Sequence, residues 1–148
     1  MNLFTAMDIS AAGLSVQRTR LNIIAENLAN IQTTRTSEGG PYRRRDVVFE
    51  AVPLTSFNDA LADAVNNDGG AGISSVRISE VVEDPRPPVL KYDPSHPDAD
   101  ADGYVAMPNV KLLEEMVNMI SASRGYEANA AVVQTTGQMA LRALEIIA

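Results

Sequence analysis

The chain has 148 residues and 15.9 kDa, with 12 Lys plus Arg against 19 Asp plus Glu and a formal net charge of −7. With no cysteine, thiol catalysis, disulfides and Cys-based zinc sites are excluded, and the acidic balance argues against a nucleic-acid partner. No stretch approaches the run of about 20 apolar residues that a membrane span needs, and the opening residues lack the basic-then-apolar order of a cleavable export signal.

Charge is unevenly spread. The terminal segments are nearly neutral, whereas residues 51–106 hold ten acids against Arg77, Arg86 and Lys91. Neutral, apolar-striped ends around an acidic, turn-rich middle imply two kinds of structure in one chain.

At the N-terminus, Met7, Leu14, Leu21 and Leu28 recur every seven residues. Leu3, Ile24 and Ile31 take the companion position, which Ser10 and Gln17 interrupt. This 3–4 spacing predicts a helix with a coiled-coil-like seam. Gly13 weakens it by about 1 kcal/mol relative to alanine. A stop is signalled near Thr33–Gly40, where β-branched residues meet Gly and Pro. Next comes the one basic run, Arg43-Arg44-Arg45. Arginine's planar fork suits bidentate pairing with carboxylates, here on a neighbouring chain.

The middle reads as strands and loops. Val47–Val52, ended by Pro53, is β-branched and short. Residues 55–72 are acidic and small, ending in a Gly/Asn-rich stretch that reads as a flexible loop. Ile73–Val82 and Val89–Tyr92 give two further strand candidates. Five of the eight prolines fall between Pro85 and Pro97, which excludes a helix there.

Asp98-Ala99-Asp100-Ala101-Asp102-Gly103 starts like a calcium-binding EF-hand loop, but Asn109 stands where the bidentate glutamate belongs. Pro94 and Pro97 also prevent an entering helix, so the segment reads as an acidic turn. His96 has no second histidine to complete a metal site, and no Gly-x-Ser-x-Gly elbow supplies a nucleophile. Neither a catalytic residue, nor a metal ligand, nor a cofactor is assigned.

The C-terminal stripe is longer. Leu112, Met116, Met119, Ser123, Tyr126, Ala130, Val133, Gly137, Ala140, Leu144 and Ile147 alternate steps of four and three, predicting a helix from about Asn109 onward. Leu113, Val117, Ile120, Val132, Leu141 and Ile146 lie off that seam and still need cover. The fold class is α+β: two long terminal helices pair as a coiled-coil-like domain with a small β-rich domain between them. The expected division is a helical domain of residues 1–36 and 108–148, and a β-rich domain of 37–107 carrying the loop 55–72.

Asn27-Leu28-Ala29-Asn30, followed by Thr33, is similar to the signature near the N-terminus of flagellar rod and hook proteins. Gly39-Gly40-Pro41-Tyr42-Arg43-Arg44-Arg45, Asp98–Val105, Met107–Val110 and Glu114–Asn129 extend the resemblance to the proximal-rod branch of that family. The resemblance implies a non-enzymatic structural subunit of the basal-body rod, the periplasmic drive shaft that transmits torque for motility. It implies export through the flagellar type III apparatus without a cleaved signal. Implied partners are further copies of the chain, the other rod proteins FlgB, FlgF and FlgG, and the adaptor FliE. Seam and motif together nominate an assembly interface of Leu14, Leu21, Asn27, Leu28, Asn30, Arg43, Arg44, Arg45, Met116, Met119, Tyr126, Val133 and Leu144. The alternative is a small acidic binding module holding a cation or a basic ligand at Asp98–Gly103.

Overall fold

Among the described residues, two helices bracket four strands. A computed structural model describes residues 3–54 and 73–147, without the side chains of Ile146 and Ile147; the loop expected at 55–72 lies outside the described residues. The order is α1 (Leu3–Ala29), β1 (Arg45–Pro53), β2 (Ser74–Glu83), β3 (Val89–Tyr92), β4 (Tyr104–Met107) and α2 (Leu112–Ile147). The architecture is the expected α+β. The chain falls into two compact units. The first holds the described parts of Met1–Arg18, Phe49–Ser79 and Arg124–Ala148, the second Thr19–Val48 and Glu80–Ser123.

Within the first unit, α1 and α2 run antiparallel: Gly13 meets Asn129, and Gln17, four residues on, meets Gly125, four residues back. A Cβ on Gly13 would lie 2.8 Å from Asn129 Oδ1. The helices approach closely because position 13 has no side chain. Asn129 cannot easily step aside, since its Nδ2 donates to the Gly125 carbonyl at 2.8 Å. The glycine that weakens the helix by propensity is therefore what admits the partner helix. Ser10, Val16 and Thr136 complete the buried line of this unit.

The second unit repeats the antiparallel arrangement. Asn27 is bonded to Glu115, and three residues away in opposite directions Asn118 lines a small cleft with Ile24. Ile24, Asn27, Glu115 and Ala122 are buried here.

The contact line between the helices thus differs from the stripe of largest apolar residues. Leu14, Leu21 and Leu28 are only half-buried, and Leu112, Met116, Tyr126 and Leu144 are exposed. Met119, Val133 and Ala140 do face inward in part. On α2 the inward line shifts one position, to the buried Glu115, Ala122 and Thr136 and the half-buried Asn129. Close backbone approach selects small and polar residues for the contact line, and bulky side chains are displaced to its flanks.

The strands form two ribbons of two. Leu54 N–H bonds the Ile73 carbonyl at one end of the β1–β2 pair, and Asp84 N–H bonds the Arg44 carbonyl at the other, both at 2.8 Å; the pair is therefore antiparallel. No residue of β1 or β2 is buried. β3 and β4 pair antiparallel, Val89 opposite Met107 and Tyr92 opposite Tyr104. The two tyrosine rings meet edge-on with centroids 5.3 Å apart. β4 is absent from the sequence reading. It has only four residues before Pro108, too few to show alternation, yet its Val105 is among the most buried side chains.

A buried polar lock and a candidate assembly surface

In the second unit, Asn27 and Glu115 are both 0% exposed. Asn27 uses its whole amide. Nδ2 donates to the Arg45 carbonyl at 2.8 Å and to Glu115 Oε2 at 3.3 Å, while Oδ1 accepts from Tyr42 Oη at 3.0 Å and from Arg45 N–H at 2.9 Å. Glu115 Oε1 accepts from Arg44 Nε at 2.7 Å, and the Arg44 side chain is 13% exposed. Burial works against the Arg44 charge, but hydrogen bonds to Glu115 and Asp46 outweigh it and hold the pKa above its ordinary value. Burial, then the nearby Glu26, pushes the Tyr42 hydroxyl up, so it remains a donor to Asn27. Buried polar groups satisfied this fully tie the start of β1 to both helices.

Asn30, the second asparagine of the motif, closes α1. Its Nδ2 donates to the Glu26 carbonyl at 2.9 Å, and its Oδ1 accepts from Thr33 Oγ1 at 3.1 Å. The same Glu26 carbonyl also accepts the backbone N–H of Asn30 at 3.1 Å, so the side chain reinforces the last turn. Thr34 Oγ1 then donates to Asp98 Oδ2 at 2.8 Å. In the Asp98–Gly103 turn, Asp100 Oδ1 accepts the N–H groups of Asp102 and Tyr104 at 3.0 and 2.8 Å. Gly103, at φ 82, occupies the left-handed region. Asp98 and Asp100 thus hold the β3–β4 hairpin and dock it on the exit of α1.

The nominated residues divide into two groups. Asn27, Asn30, Arg44 and Arg45 are engaged within the chain; Arg45 pairs with Glu26 and Glu83. Arg43 is exposed. In the first unit, Leu14 and Tyr126 line one cleft with Ala11 and Arg18, and Leu144 is exposed. In the second unit, the outer face of α2 is apolar. Leu113 is 76% exposed, Val117 66% and Ile120 54%, with Leu112 and Met116 beside them. Three of these, Leu113, Val117 and Ile120, are side chains that the periodicity leaves without cover. The sequence reading missed Tyr42 and Glu115 as members of the lock. Glu115 sits beside Glu114 in the first turn of α2, where acids are favoured anyway, so no local signal marks it as buried.

The family model described as flagella basal body rod protein matches residues 7–35, and that described as flagellar basal body rod FlgEFG protein C-terminal matches residues 101–146. The chain is 42% identical to the flagellar basal-body rod protein FlgC of Borreliella burgdorferi, with 99% of each chain covered. It is 41% identical to that of Bacillus subtilis, again over 99% of each. With that of Salmonella typhimurium it shares 39%, over 99% of this chain and 98% of the relative. The chain belongs to the FlgC family of flagellar basal-body rod proteins. It is a structural subunit of the rod, and the Asn-Leu-Ala-Asn stretch of this FlgC-family chain lies within the N-terminal matched segment. Both helices are covered largely by the two family matches, whereas β1, β2 and β3 lie outside them.

Proposed function

We propose that the chain builds the proximal part of the rod and assembles through the outer faces of its terminal helices. The observation that carries this reading is the apolar outer face of α2, where Leu113, Val117 and Ile120 are more than half exposed. Full burial of each such side chain is worth about 1.5–3 kcal/mol, so covering the face drives association. The uncovered β1–β2 ribbon points the same way, because a two-stranded ribbon alone is marginal in water.

In this reading Leu14, Leu21, Leu28, Met116, Met119, Tyr126, Val133 and Leu144 pack on neighbouring subunits. Asn27, Asn30, Arg44 and Arg45 act indirectly, by fixing the shape of the subunit. Residues 1–36 and 108–148 form the inner helical domain and 37–107 the outer β-rich one. The partners are further copies of the chain, FlgB, FlgF, FlgG and the adaptor FliE, reached after type III export without a cleaved signal. The role is mechanical: a heterologous contact repeated without closing makes a helical tube, and dense helix packing transmits torque. No catalytic step belongs to it.

The test is Met116→Asp in a cell with no other copy of the gene. Rods and motility are lost while the purified variant keeps its helical circular dichroism. Motile cells with normal rods would overturn the reading.

A further inference from the structure

The three consecutive arginines meet three different fates. Arg44 lies against Glu115 and Asp46, and Arg45 against Glu26 and Glu83. Arg43 is exposed and makes no hydrogen bond or ion pair among the described residues. It lies on the rim of two clefts at once, one of about 200 Å³ and one of about 440 Å³. Pro85, Pro87 and Pro88 wall the smaller cleft, whose charged lining is Arg43, Arg44 and Arg86 against Asp84 alone.

This site is built before anything binds. Gly39 and Gly40 hold φ of 87° and 78°, and Thr36 closes their turn by donating its N–H to the Gly40 carbonyl at 2.9 Å and accepting from Gly39 N–H at 3.1 Å. Arg86 is fixed across the cleft by Asp84, which accepts from both its backbone N–H and its guanidinium. Proline walls and a pinned arginine lose little freedom on binding. Arg44 is neutralised by Glu115 and Asp46 and Arg86 by Asp84, so Arg43 is the cation of the cleft lining left without an ion pair among the described residues.

We propose that the cleft beside Arg43 receives a carboxylate from a second copy of this chain, making a head-to-tail contact between copies. The proposal rests on the assembly reading above and names one contact of it. Charge complementarity selects the occupant. The chain's own acidic surplus lies in residues 51–106, and within it Glu80 is exposed and without an ion pair among the described residues. Arg43 on one copy and an exposed strand carboxylate such as Glu80 on the next form a heterologous pair, which propagates instead of closing. Arginine's fork gives such a contact direction as well as attraction.

The experiment uses basal bodies purified from cells whose only copy carries Arg43→Lys, treated with a carbodiimide that joins amines to carboxylates in direct contact. The expected product is a covalent dimer of this chain, in which mass spectrometry finds the introduced amine joined to an Asp or Glu of the second copy. If that amine is joined only to a different rod protein, or is not joined at all, the proposal is overturned.

Arg43→Glu is the second arm. Reversing one interface charge is expected to give roughly tenfold or more fewer complete rods, a loss of about 1.4 kcal/mol or more. Its circular dichroism should match the parent, since Arg43 makes no hydrogen bond or ion pair among the described residues; a misfolded variant would overturn the assignment. Normal rods with Arg43→Glu, while Met116→Asp abolishes them, sink the cleft alone. Normal rods in both sink the assembly reading.

Discussion

Asn27 and Glu115 stand 88 residues apart, share a hydrogen bond of 3.3 Å, and are both fully enclosed. Their pairing sets one end of α1 against the start of α2. A slip of seven residues would place Asn27 opposite Ala122 and separate Glu115 from Arg44. An apolar contact line of small residues tolerates such slips. A buried amide, a carboxylate and a guanidinium that must all be satisfied do not, since an orphaned buried polar group costs about 1–3 kcal/mol. The lock specifies register, and register decides which apolar side chains face outward.

Replacing Asn27 with alanine removes four hydrogen bonds at once and strands the Tyr42 hydroxyl. The expected loss is about 2–4 kcal/mol, read as a lower urea midpoint for the purified full chain. A midpoint equal to the parent's would mean that the lock adds nothing to the folded chain.

Glu115→Ala should be worse than Glu115→Gln. Alanine removes the buried partner of Arg44 and leaves it only the exposed Asp46 as an ion-pair partner among the described residues, and breaking a buried pair in this way costs about 3–5 kcal/mol. The glutamine carbonyl can still accept from Arg44 Nε. Equal midpoints for the two variants would show that the hydrogen bond contributes little.

Gly13→Ala improves helix propensity by about 1 kcal/mol yet should destabilise the chain. The new methyl would sit 2.8 Å from Asn129 Oδ1, and overpacking costs about 1–3 kcal/mol. Adding Asn129→Ala removes the obstacle, so the double variant should recover stability relative to Gly13→Ala. Additive losses in that double-mutant cycle would place the clash elsewhere.

Hydrogen bonds from Arg86 hold the Asp84 carboxyl down, from 3.8 to about 2. The unfolded chain therefore takes up this proton first as pH falls. The contribution is complete above pH 4 and disappears progressively toward pH 2. Asp84→Asn should flatten that part of the curve of melting temperature against pH. An unchanged slope would remove Asp84 as its source.

The helices and three of the four strands were legible because each rests on a local signal: a 3.5-residue period along α1 and α2, and short β-branched, alternating or proline-bounded runs at β1 to β3; the antiparallel sense of the helix pair was not. Nor was the contact line. Hydrophobicity picks out the stripe through Leu14, Leu21, Leu28 and Met116, whereas the helices meet along Ser10, Gly13, Ala122 and Asn129. Residues that allow close approach are small or polar and carry little hydrophobic signal. The motif asparagines were visible, but their roles inside the subunit depended on Tyr42, Arg45 and Glu115, which only the fold brings beside Asn27.

The central claim is that the outer face of α2 is covered in the rod. The chain has no cysteine, so Val117→Cys introduces a single thiol at a position 66% exposed in the chain by itself. Its rate of reaction with a maleimide can be compared between the free subunit and purified basal bodies. Rapid labelling of the free subunit and strong protection in the basal body are expected. Equal rates in both would contradict the account, because the face would then be open in the assembled rod.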